Sequence, residues 1–73
     1  MDRIFKTIAG AAEYIDNLHN LDQNCSVFLD LVDSTYFHQD EGHCWVNNIH
    51  YVVRRSKEGS WRLTTSKEYE QEA

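Results

Sequence analysis

The run CWVNNIHYVVRRSKEGSWRLTT, residues 44 to 65, constrains this chain more than any other stretch. Two β-rich segments flank RSKEGS, in which Gly59 can take positive φ, the usual device of a short hairpin loop with a bulge. Centring that loop near residue 58 sets Val53 opposite Leu63 and Arg55 opposite Trp61. A chain built on this hairpin carries an antiparallel sheet, and its apolar face has to be covered.

The cover is read at residues 7 to 19, TIAGAAEYIDNLH. Ile8, Ala11, Ala12, Ile15 and Leu18 fall on one helical face, with Glu13, Asp16 and Asn17 opposite. Thr7 is the expected N-cap, and Asn20, Asp22, Gln23 and Asn24 end the element with residues that bond their own backbone in turns. The words TIAGAAEYI resemble the opening helix of small DNA-binding folds of the excisionase and MerR type. A strand-like pattern follows in place of a second, basic helix, and the resemblance goes no further.

Residues 25 to 32, CSVFLDLV, are rich in β-formers, and 44 to 54, CWVNNIHYVVR, continue in that style, so both are expected as strands. A hairpin between them, symmetric about residue 38, pairs Val27 with Ile49, Leu31 with Trp45 and Cys25 with Tyr51. Alternation then gives an odd-numbered face for the helix to cover. The even face still carries Phe28, Val32, Val46 and Val52, which is read as a surface for self-association into a homodimer. MDRIFK is expected to add an edge strand ahead of the helix. Thr65 and Glu68 have capping-box spacing for a last helical turn.

The predicted fold is therefore α+β: a two-layer sandwich with one amphipathic helix packed on an antiparallel sheet of three to four strands, in the order (β)αβββ. Seventy-three residues bury one small core, so residues 1–73 are read as a single domain, with 67–73 as a frayed acidic tail. MDRIFKT is not an apolar leader, and no run reaches the roughly 20 residues of a membrane span. The expectation is a cytoplasmic protein with free thiols at Cys25 and Cys44 and no membrane partner.

Charge is unevenly distributed. Net charge is -5, yet between Lys6 and Arg54 there is no Lys or Arg, while seven acids fall there. Ordinary soluble surfaces intersperse both signs. Glu13, Asp16, Asp30, Asp33, Asp40 and Glu41 are read as a negative surface for a basic protein partner, one that imitates nucleic-acid phosphate. Direct nucleic-acid binding is not expected, because Arg54, Arg55, Lys57 and Arg62 make only one modest patch beside Glu58. Tyr36 and Phe37 stand in a polar setting, and either anchor that partner or fold back to close the core.

The stretch HQDEGHCW, residues 38 to 45, holds the chemistry-bearing side chains. His38, His43 and Cys44 define an alternative, a zinc-binding regulatory domain with Cys25 and His50 nearby in space. Their spacing matches neither the helical HxxxH nor the CxxC knuckle of structural zinc sites. The preferred reading is a solvated turn bent at Gly42. Catalysis would need an activated thiol or a positioned acid and base, and a thiol in negative surroundings is the reverse of activated. The sequence is thus read as a non-enzymatic interaction module without cofactors, a small acidic inhibitor or adaptor of the kind made by phages and mobile elements.

Overall fold

The computed structural model describes residues 3–21 and 26–68. The elements run β1 (Arg3–Phe5), α1 (Ile8–Leu18), α2 (Ser26–His38), β2 (Glu41–Val46), β3 (Ile49–Arg55) and β4 (Trp61–Thr65). The strands form one antiparallel sheet in the order β1-β4-β3-β2, and the architecture is α+β. Cys25 and residues 69–73 lie outside the described residues. Among those described, no helix is long and apolar enough to cross a membrane.

Helix α1 begins and ends for visible local reasons. The Thr7 hydroxyl accepts from the Gly10 N–H at 3.1 Å, which satisfies one of the unpaired donors of the first turn. At the other end Asn20 takes φ 52°. Leu21 N–H then donates to Asp16 O and Asn20 N–H to Asn17 O, the paired bonds of a Schellman ending, with Asn accepted in the left-handed position. Its inner face places Ala11, Ala12 and Ile15 in the core.

The second hairpin has the expected register, with Val53 opposite Leu63 and Arg55 opposite Trp61, and Gly59 at φ 88°. The edge strand β1 pairs with β4 as expected. The Thr65 hydroxyl accepts from Glu68 N–H at 3.3 Å in a short helical turn at residues 66–68.

Residues 25–32 are a correction. From Ser26 onward they are not a strand but the start of α2, so two helices cover the sheet and the order is βααβββ. Val27 and Leu31, four apart, are the buried pair of this helix, while Leu29 between them is exposed. That is a helical period, where a strand would bury all three.

The stretch 44–54 is likewise not one strand. Asn47 and Asn48 take φ 49° and 67°, two successive left-handed residues that make the tight two-residue turn matched to strand twist. The hairpin is therefore β2 to β3, pairing Cys44 with Tyr51 and Val46 with Ile49. The inner face of β2 is consequently even-numbered while that of β3 and β4 is odd-numbered. Gly42, Cys44, Tyr51, Val53, Trp61 and Leu63 all point into the core beneath the helices.

Asp16 is inside as well, 7% exposed, and its Oδ1 has no hydrogen-bond partner. It sits in the last turn of α1, at the negative pole of the helix, where a carboxylate is least welcome. Asp16→Asn removes the charge at nearly constant shape. Urea denaturation of this variant is expected to show a gain of about 1 kcal/mol; a loss would mean that the carboxylate has a stabilising role.

Candidate functional site

Two surfaces carry side chains that the core does not use. The first is the outer face of the sheet, opposite the helices. Alternation along β2 turns Glu41, His43 and Trp45 outward, and β3 adds His50 directly opposite Trp45. The Trp45 and His50 rings stack at 4.5 Å and 4°, while the His50 and His43 rings meet edge to edge, centroids 5.0 Å apart and planes inclined by 25°. His38, the last residue of α2, meets the His43 ring edge-on at 5.7 Å. His43 Nδ1 and His50 Nε2 are 2.9 Å apart, while His43 Nε2 is 3.5 Å from Glu41 Oε1.

The carboxylate can only accept, so it favours the proton on His43 Nε2 and leaves Nδ1 as the acceptor for His50 Nε2–H. The backbone beneath is secured by α2. Ser34 Oγ accepts from His43 N–H at 2.6 Å and lies 3.2 Å from the His43 carbonyl, giving this edge strand a partner for its outward-facing backbone.

HQDEGHCW is thus mostly a strand and not a solvated turn. Gly42 does not bend it; Gly42 is buried under α2 and lets the helix approach. Cys44 lies on the opposite face from His43, 2% exposed. Burial first, and then the negative charges of Asp30 and Asp16, push its thiol up to about 12. A thiol held neutral in the core cannot share a metal with outward-facing histidines, which removes Cys44 from the ligand set with His38 and His43. Among the described residues, no group of three or more His, Cys, Asp or Glu is arranged to hold a metal ion.

A second polar cluster ties α1 to the β2–β3 turn. His19 Nε2 lies 2.6 Å from the Tyr51 hydroxyl, and Asn47 Nδ2 lies 3.2 Å from His19 Nδ1. One consistent tautomer serves both bonds, with Asn47 donating to Nδ1 and Nε2–H donating to the Tyr51 oxygen. Burial, followed by the Cys44 and Tyr14 groups, raises the Tyr51 phenol above its ordinary value. This cluster is a structural tie with its groups already spent on one another.

The second surface is the outward side of α2. Tyr36 and Phe37 are 81% and 78% exposed, packed edge to face at 5.4 Å. They do not close the core. Leu29 is also exposed, and Phe28 and Val32 lie partly open on the same helix, with Asp30 and Asp33 between them.

The even-numbered face expected to self-associate does not exist as one surface. Phe28 and Val32 are on α2, Val46 points into the core, and Val52 lies 1% exposed on the outer sheet face. The acidic set is also divided. Asp16 is buried, and Arg55 donates to Asp40 at 2.6 Å. Glu41 faces His43, and only Glu13, Asp30 and Asp33 remain as exposed acids of the two helices.

A hollow of about 400 Å³ lies beside the Asp40–Arg55 pair, lined also by Ser56, Lys57 and Gly59. Its opposite charges already satisfy each other.

Sequence reading missed the pairing of Trp45 with His50. The signal was present in the dipeptide Asn47-Asn48, whose tolerance for left-handed backbone marks the turn that sets the two rings across from one another. The fold and its surfaces define an α+β two-layer protein with an aromatic outer sheet face and an apolar, acid-bordered helix. Compared with known proteins, the chain matches no family model, and no curated protein or solved structure is significantly similar to it.

Proposed function

We propose that this protein is a non-enzymatic interaction module that presents the outward side of α2 to another protein. The observation carrying this reading is the exposure of Tyr36, Phe37 and Leu29 along one helix. Large aromatic side chains are what binding hot spots use, and their exposure costs solubility unless a partner covers them. Asp30 and Asp33 border the patch, so the complementary surface is an apolar groove with a basic rim, which steers the encounter electrostatically. The role is that of a small inhibitor or adaptor. Its narrower form, imitation of nucleic-acid phosphate, rests on Glu13, Asp30 and Asp33, since Asp16 is inside and Asp40 is engaged by Arg55.

A benzophenone side chain at position 29, photolysed in an extract of the native host, is expected to cross-link one partner protein. The double substitution Tyr36→Ser with Phe37→Ser should lower capture about thirtyfold, the size of a hot-spot loss of roughly 2 kcal/mol. Stability should change by less than about 0.5 kcal/mol, because both rings are exposed. Cross-linking only to a second copy, with a dimer mass by light scattering, would replace the partner by self-association. Capture unaffected by the double substitution would rule out this face.

A further inference from the structure

We infer that His43 and His50 together bind a divalent transition-metal ion that favours imidazole, zinc or copper. The two ring nitrogens already face each other at 2.9 Å. Two imidazole nitrogens at 2.0–2.1 Å from a tetrahedral ion stand roughly 3.3 Å apart with converging lone pairs, so the ion fits once the rings separate by about 0.4 Å and tilt out of their head-on alignment. It takes the place of the proton now shared between His50 Nε2 and His43 Nδ1; that proton exchanges through solvent to His50 Nδ1, so both rings bind as neutral imidazoles and no net proton is released.

Both ligands are oriented in advance. Glu41 lies against the other nitrogen of His43 at 3.5 Å, the arrangement in which a carboxylate fixes the tautomer of a metal-bound histidine and raises its basicity. Trp45 lies flat on the His50 ring at 4.5 Å, and cross-strand pairing holds both residues on a rigid hairpin. Imidazole suits zinc and copper, whereas magnesium and calcium prefer an all-oxygen set. Cys44 takes no part from the far side of the sheet.

The stack also supplies a reporter. Trp45 is 67% exposed and in contact with a ligand ring, whereas Trp61 is buried on the inner face. Titration of the untagged protein with Cu²⁺ should quench tryptophan emission saturably at one ion per chain, and Zn²⁺ should compete for the same site. His43→Gln and His50→Gln should each abolish saturable quenching while keeping the wild-type thermal melt. Glu41→Gln should weaken binding about tenfold, as loss of such an orienting group usually does. His19→Gln, on the other side of the sheet, should leave the saturable quenching and its stoichiometry unchanged. Quenching that never saturates, or that survives both histidine substitutions, would overturn the assignment.

Discussion

Gly42→Ala is expected to destabilise this protein by about 2 kcal/mol, in the range of overpacked cores. Glycine in a strand is normally worth replacing, since alanine saves backbone entropy. Here the sign reverses. A Cβ at position 42 would stand 2.8 Å from Thr35 Cγ2 and 2.9 Å from both Val53 Cγ2 and the Leu31 carbonyl oxygen. The methyl groups have some freedom, but the carbonyl is part of helix α2 and moves only with it.

A chain of this size has a total stability of roughly 4–11 kcal/mol, so the loss is a large share. Urea denaturation should show a lower midpoint with an unchanged slope. Thr35→Ser or Val53→Ala, which remove the movable contacts, should not restore it. Recovery in either background would mean that side chains and not the α2 backbone set the limit.

Leu31→Ala, at the same interface, errs in the opposite direction and should cost about 3 kcal/mol through the cavity it leaves. Leu31 is fully buried, and with Val27 it is one of only two buried residues by which α2 holds to the sheet. Ser34 and Thr35 add contacts to β2, and the remaining side chains of that helix face outward. The loss should therefore be local first: hydrogen exchange at residues 26–38 should accelerate before exchange in β3 and β4. Equal acceleration in helix and strands would show that α2 and the sheet open as a single unit.

The same imbalance explains why α2 was not legible in the sequence. Its helical period is carried by Val27 and Leu31 alone, while Phe28, Leu29, Val32, Tyr36 and Phe37 place apolar residues on the other sides. A helix apolar nearly all round has no stripe to read, and Val, Phe and Leu side by side resemble a strand. The residues that hid the helix are those now offered to a partner. In contrast α1 has a clean stripe, and its cap at Thr7 and its end at Asn20 were visible as residue types.

The candidate metal pair was half legible. His43 and His50 stood out by type, but their meeting depends on β2 pairing with β3 through Asn47-Asn48. A hairpin drawn from 25–32 to 44–54 turned Trp45 inward and Cys44 outward, since a changed register reverses every side chain of a strand. The acidic run shows a related effect. Forty-seven residues without Lys or Arg still fold so that Asp40 meets Arg55, because opposite charges distant in sequence can be adjacent in space.

By itself the sequence determined the α+β class, the first helix with both of its ends, the edge strand and the register of the second hairpin. Those depend on local capping, turn chemistry and periodicity within about a dozen residues. Only the tertiary structure decided that residues 26–38 are a helix, that Gly42 is where this helix touches the sheet, and that His43, His50 and Trp45 share the outer sheet face. Each of these is a long-range pairing, and its energy comes from burial against residues that the local chain does not contain.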